Sequence, residues 1–160
     1  MTITVGVLSD THLRTVTREL VDIYDRYLSD KDLVLHCGDV VSKEILDMLG
    51  RKDFHGVCGN MDTPEVRELL PEKRTLRIGN FNLGLIHGYG SPDGLEDRIK
   101  GEFGKVDIIV YGHSHNASNH VREGVLFFNP GSATGYSRSG RNSIGVLEIG
   151  TSVDGRIIEI

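Results

Sequence analysis

Five short apolar runs in this chain close in the same way. Val5-Gly6-Val7-Leu8 runs into Ser9-Asp10-Thr11-His12, Leu33-Val34-Leu35 into His36-Cys37-Gly38-Asp39, and Gly56-Val57-Cys58 into Gly59-Asn60. Leu83-Gly84-Leu85-Ile86 runs into His87-Gly88, and Ile108-Ile109-Val110 into Tyr111-Gly112-His113-Ser114-His115. Short continuous runs rich in β-branched residues read as strands buried on both faces, the pattern of parallel sheets. In such sheets ligands bind in the crevice beyond the carboxyl ends of the strands. A fold built on these runs therefore delivers Asp10, His12, Asp39, Asn60, His87, His113 and His115 toward one edge.

The segments between the runs support that architecture. Val16, Leu20, Ile23, Tyr24 and Tyr27 recur at helical spacing among charged residues. A helix from Ser42 carries Ile45, Leu46 and Leu49 on one face and stops at Gly50, and Thr63-Pro64 reads as a cap followed by proline at the first helical position. Strand and helix alternating at this pace predict βαβ units in the first half. Thr75–Ile78 and Phe81–Ile86 then flank Gly79-Asn80 as a hairpin, and Ser91-Pro92 opens a helix bearing Leu95, Ile99 and Phe103. Beyond His115 the pattern predicts antiparallel strands at about 119–122, 125–129, 143–149 and 156–160, turned at Glu123-Gly124, a polar loop 133–142, and Asp154-Gly155. A parallel first half and a β-meander at the end predict two sheets packed together, with helices outside.

At 160 residues the chain fits a single domain, residues 1–160, large enough to hold its core without disulfides. Its net charge of −5 and the lack of any Lys/Arg cluster argue against strong nucleic-acid binding. An acidic protein still acts on anions where metal ions supply local positive charge. Cys37 and Cys58, each one residue before a glycine, read as buried thiols of a cytoplasmic protein. The start of the chain does not read as a signal peptide, and no run approaches the ~20 apolar residues of a membrane span.

Singly, none of the seven strand-end residues is distinctive. Asp and His after a strand are common caps, Gly-Asp and Gly-Asn are common turn dipeptides, and a lone histidine at a strand end is usually just hydrogen-bonded. His113-x-His115 is the strongest, since it puts two imidazoles on one side of the chain. Together they form a set of hard oxygen and imidazole donors without thiolate, suited to Mn, Ni, Fe, Zn or Co. Cys37 and Cys58 lie on the strand side of their glycines and read as core. His36 is expected to be a packed or hydrogen-bonded histidine, the alternative being that it supports a ligand from behind. His55 and His120 read as structural or solvated.

The ordered series Asp10-x-His12, Gly38-Asp39, Gly59-Asn60, His87-Gly88 and Gly112-His113-x-His115, followed by Asn129-Pro130-Gly131-Ser132, resembles the calcineurin-like metallophosphoesterases, in particular their compact archaeal and bacterial phosphodiesterases. The resemblance implies a four-layer αββα sandwich of two mixed β-sheets flanked by helices. It implies two divalent transition-metal ions, one held by Asp10, His12, Asp39 and His115 and the other by Asp39, Asn60, His87 and His113. Asp39, Asn60 and His113 are then expected to serve catalysis as well as binding. Two cations ~3.5–4 Å apart activate a water and clamp an in-line displacement, so the implied activity is phosphodiester hydrolysis on a small phosphoester, by a monomer or a homodimer. Many relatives carry histidine as a proton donor where this chain has Met61, and a thioether cannot donate a proton. Arg138 and Arg141 lie in a loop that is either solvated or folded over a substrate phosphate. The rival readings are a retromer-subunit-like protein scaffold that keeps its metal, and a nucleotidase or dinucleoside-polyphosphate hydrolase.

Overall fold

The computed structural model describes residues 1–160. β1 (Ile3–Leu8), β2 (Leu33–His36) and β3 (Phe54–Gly56) run parallel, with Val5 opposite Leu33 and Val34 opposite Phe54. β9 (Ser143–Ile149) adds antiparallel to the other edge of β1, and β10 (Val153–Glu159) adds antiparallel to β9. The second sheet holds β4 (Lys73–Ile78), β5 (Phe81–Ile86), β6 (Ile108–Val110), β7 (Ser118–Arg122) and β8 (Val125–Asn129) in the order β4-β5-β6-β8-β7. Both sheets are five-stranded and mixed.

Side-chain alternation decides the layers. Val5 and Val7 of β1, Leu83 and Leu85 of β5, and Ile108 and Val110 of β6 point between the sheets into one core with Leu35, Phe128 and Leu147. On the outer face of the first sheet, Leu8 and Val34 meet α1 (Arg18–Ile23, extended by a π-helical turn through Leu28), α2 (Lys43–Leu49) and α3 (Pro64–Leu69). On the outer face of the second, Ile86, Ile109 and Phe127 meet Leu95 and Ile99 of α4 (Leu95–Lys100). The result is the expected four-layer αββα sandwich. Thr17, Ser42 and Thr63 cap the first three helices by accepting from the backbone three residues on.

Three expectations fail, each for a physical reason. The last four strands are not one meander: β8 pairs with β6 in parallel, and the chain then crosses back to the first sheet as β9. Asp154-Gly155 is not a turn but lies inside β10, opposite Glu148 and Leu147. Gly155 stands where a Cβ would come 2.9 Å from the Phe128 ring, so the glycine there serves close approach between the sheets rather than reversal. Finally, α4 begins at Leu95 rather than Ser91-Pro92, because Ser91 Oγ accepts from the Asp93 amide (3.2 Å) in a local turn. Phe103 lies past the end of α4 and fills the space that Gly84 leaves on β5.

Candidate metal centre

All seven strand-end residues converge. His12 Nε2 lies 3.7 Å from Asp10 Oδ1 and 3.5 Å from Asp39 Oδ2, and His115 Nε2 lies 3.2 Å from Asp10 Oδ1. His87 Nε2 lies 3.2 Å from Asp39 Oδ2 and 3.1 Å from Asn60 Oδ1, which in turn lies 3.3 Å from His113 Nδ1. Donors each about 2.1 Å from a common ion are separated by roughly 3–3.5 Å, close to the 3.1–3.7 Å seen here. Asp10, His12, Asp39 and His115 by themselves form a cluster with the spacing of a metal site.

Each carboxylate commits one oxygen to the protein and turns the other inward. Asp10 Oδ2 accepts from Ser9 Oγ (2.6 Å) and the His113 amide (3.1 Å), while Oδ1 is buried without a hydrogen-bond partner. Asp39 Oδ1 accepts from the Met61 amide (2.8 Å), leaving Oδ2 facing both His12 and His87. His12 Nε2 is likewise buried and unpartnered. Orphaned buried polar atoms are rare. Two in one cluster, both of metal-donor type, fit a cation.

The far sides of the rings orient them. His87 Nδ1 donates to the Cys37 carbonyl (2.7 Å), His113 Nε2 to the Gly90 carbonyl (2.7 Å), and His115 Nδ1 to the Tyr136 carbonyl. A carbonyl only accepts, so in each ring the other nitrogen is the free donor atom facing the cluster.

The backbone is strained at the same residues. Seven non-glycine residues have positive φ, among them Asp10 (52°), His12 (50°), Asp39 (59°), His113 (71°) and His115 (55°). Left-handed conformations cost about 1–2 kcal/mol each for such residues and gather at functional sites. Gly59 is needed for closeness, since a Cβ there would lie 2.3 Å from Asp39 Oδ1.

Electrostatics follow the packing. Burial alone would raise the Asp10 pKa, but His115, His12, His87 and Ser9 outweigh it and hold the carboxyl far below its usual range. Asp39 is lowered in the same way, burial being overcome chiefly by His87. His87 is raised because Asp39 and Asp10 outweigh its desolvation, and His115 is raised mainly by its bond to Asp10. Both carboxylates are thus ready acceptors for positive charge.

Residues 3–152 match the calcineurin-like phosphoesterase superfamily domain. The chain belongs to that superfamily. A probable metallophosphoesterase of Methanocaldococcus jannaschii is 38% identical over 99% of this chain and 82% of its own length. A phosphodiesterase of the same organism is 26% identical over 90% of this chain and 92% of its own. Among solved structures, an archaeal phosphodiesterase superposes with a TM-score of 0.76 at 25% identity, covering 99% of this chain and all (100%) of that one. Vacuolar Protein Sorting 29 of Cryptosporidium parvum gives 0.77 at 25% identity, covering 99% and 98%.

Several supports of this phosphoesterase site escape a reading by residue type. Asp62 accepts from the amides of Asp39 (3.0 Å), Val41 (2.6 Å) and Gly59 (2.7 Å), fastening the two loops that carry Asp39 and Asn60. Arg67 gathers the carbonyls of Gly59, Asn60 and Asp62 within 2.9–3.0 Å. An aspartate two residues after a loop asparagine is a recognisable acceptor for loop amides; Arg67, on α3, gives no such signal. The Asn129-Pro130-Gly131-Ser132 stretch acts as a brace. Asn129 Nδ2 donates to the Gly112 carbonyl and Ser114 Oγ, and Ser132 Oγ donates to the Asp10 carbonyl.

His36 is fully buried and supports the centre from behind. Its Nδ1 accepts from the Gly38 amide (3.1 Å), and its Nε2 donates to Thr11 Oγ1 (3.2 Å), which contacts the Asp39 carbonyl (3.5 Å). Burial lowers its pKa to about 3, so the ring is neutral. Cys37 and Cys58 are free and buried. His55 pairs with Arg74, and His120 with Glu96, both away from the centre. Arg141 pairs with Glu159 (2.9 Å) at the surface, and Arg138 lines a groove beside His115.

Proposed function

We propose that this chain is a phosphodiesterase holding two divalent transition-metal ions, one by Asp10, His12, Asp39 and His115, the other by Asp39, Asn60, His87 and His113. The observation that carries the reading is Asp39 Oδ2, which faces His12 of one set and His87 of the other while its partner oxygen is tied to Met61. Bound ions of this kind supply Lewis acidity toward phosphoryl oxygens and an activated water. Asn60 adds a neutral oxygen donor, so the shared carboxylate is not joined by another negative charge on that side. The His87, His113 and His115 rings present a fixed nitrogen because their other nitrogens are anchored to carbonyls. The proposed setting is the cytoplasm, consistent with two free buried thiols; no helix is long and apolar enough to cross a membrane.

The likeness to Vacuolar Protein Sorting 29 and the proton-free side chain of Met61 favour a second reading, a metal-bearing interaction protein with slow hydrolysis. Membership of the calcineurin-like phosphoesterase superfamily and the likeness to a phosphodiesterase support the enzyme reading. The deciding experiment is metal analysis of the purified protein with a panel of phosphomonoesters and phosphodiesters. Diesters should be cleaved, with stimulation by Mn or Ni and loss on chelation. Asp39→Asn should lose both metal occupancy and activity, by about a hundredfold or more, because two cations without the shared charge repel each other. Near-wild-type turnover of Asp39→Asn under limiting metal refutes the bridging assignment.

A further inference from the structure

A single side chain holds the loop that follows His87. The loop joins β5 to α4, and its Gly88, Gly90 and Gly94 all have positive φ (102°, 80° and 72°). Every carbonyl from Tyr89 to Asp93 is engaged. Arg98, half-buried on α4, donates from Nε to the Tyr89 carbonyl (3.0 Å), from one terminal nitrogen to that of Asp93 (3.0 Å), and from the other to that of Ser91. The Pro92 carbonyl accepts from the Leu95 amide (3.3 Å). The Gly90 carbonyl alone points out of the loop, and it accepts from His113 Nε2 (2.7 Å). A guanidinium is a rigid planar fork of donors, and this one grips the carbonyls on both sides of Gly90. It also lies against that residue, since a Cβ there would come 3.2 Å from Arg98 Nε. Glycine has no conformational preference strong enough to fix the direction of its own carbonyl. Arg98 fixes it.

We infer that Arg98 is a positioning residue for the ion proposed at Asp39, Asn60, His87 and His113: it aims the Gly90 carbonyl at His113 Nε2 and so keeps His113 Nδ1 turned toward that ion. His113 Nδ1 stands 3.3 Å from Asn60 Oδ1. With the ring proton on Nε2, these two facing atoms are both acceptors, an arrangement that suits a cation between them. The ion proposed at Asp10, His12, Asp39 and His115 does not depend on the same loop. The His115 ring rests on the Tyr136 carbonyl, and Asp10 Oδ2 on the Ser9 hydroxyl and on the amide of His113, not its ring. The inference rests on the two-ion reading of the centre. It goes beyond that reading by making the affinity of one ion depend on a residue that touches neither ion nor substrate.

The test has two arms. In the first, Mn²⁺ is titrated calorimetrically into the metal-free full-length protein. Arg98→Met should weaken one binding event about 10–100-fold and leave the other within about threefold. Arg98→Lys keeps the charge but not the fork, so it should do the same. Lys100→Met removes a charge from the same helix, where it pairs with Glu123, and should change neither event. In the second arm, the ring nitrogen chemical shifts of His113 are read by NMR in the metal-free proteins at about pH 8. The wild type should carry the ring proton on Nε2, and both Arg98 variants should share it between the two nitrogens. Should Arg98→Met not fold, Arg98→Lys carries both arms. Wild-type affinity for both ions, an equal loss of both in a variant whose amide spectrum is that of the folded chain, or an unchanged His113 tautomer overturns the inference. If the wild type takes up fewer than two ions, the two-ion reading fails, while the nitrogen shifts still decide whether Arg98 aims the His113 ring.

Discussion

Asp10 and Asp39, at the ends of β1 and β2, are 0% and 2% exposed, and the loops that carry them are held from beneath by His36, Thr11 and Asp62, all buried. His113 and His115, after β6, are partly exposed, and each ring is anchored by one carbonyl at the rim. The groove that reaches His115 is lined by loops of the second sheet's half and by the crossing segment 133–142. The first wall is a buried cradle for charge; the second is a partly exposed rim. A centre built this way can keep its ligand geometry constant while its substrate side changes, because the groups that hold the carboxylates are not the ones that line the grooves.

The comparison breaks most sharply at Asp62. Asp62→Ala leaves the amides of Asp39, Val41 and Gly59 without an acceptor, at about 1–3 kcal/mol for each that stays dry. The expected loss is about 3 kcal/mol or more in urea unfolding, with metal occupancy falling in parallel. On the other wall, Ser114→Ala removes a partly exposed hydroxyl that accepts from Asn129 and Asn116, and should cost under about 1 kcal/mol because water replaces it. Equal losses would show that the two walls are equally rigid.

A smaller effect sharpens the same contrast through pH. His36 stays neutral in the folded chain down to about pH 3, whereas in the unfolded chain it takes up a proton near its ordinary value of 6.5. Between those values the unfolded state binds more protons, so this group's contribution makes stability fall as pH falls, by up to ~1.4 kcal/mol per unit. His36→Gln, whose amide can still accept from Gly38 and donate to Thr11, removes that dependence. The stability of the wild type relative to His36→Gln should therefore drop by roughly 2 kcal/mol between pH 7 and pH 4.5, read from urea midpoints of the metal-free proteins. A pH-independent difference would mean that water reaches His36 and that the cradle is not dry.

What could be read from the sequence divides along the same line. The strand-end residues were legible because a short apolar run followed by a donor type is a local pattern, and their convergence needed only parallel strands. The crossover after β8 was not, because strand pairing is set by which hydrophobic faces meet across the molecule, and Val125–Asn129 reads the same whether its partner runs parallel or antiparallel. Gly155 looked like a turn for the same reason: a glycine under a distant ring and a glycine in a reversal are one letter. Arg67 carries no sequence signal at all, since its role depends on the backbone carbonyls it gathers.

The smallest expected effect lies at Met61, where the two walls meet. Its amide holds Asp39 Oδ1, while its side chain is 59% exposed. With no proton to give, the wild type should cleave aryl phosphodiesters readily and alkyl ones slowly, with kcat/KM falling steeply as leaving-group pKa rises. Met61→His places an imidazole at that position. A positioned general acid is worth ~10²–10⁴-fold, but positioning is what this loop cannot supply: both oxygens of the adjacent Asp62 are already taken by backbone amides. The variant should therefore gain less than about tenfold on alkyl esters and flatten the slope only in part. The measurement is kcat/KM over a series of substituted aryl and alkyl diesters for both proteins. A gain of a hundredfold would mean that Asp62 can leave its amides to orient a ring, and the cradle would then be looser than its hydrogen bonds suggest. A shallow slope in the wild type would mean that another group already donates the proton, and Met61 would be a solvent-facing side chain with no part in the chemistry.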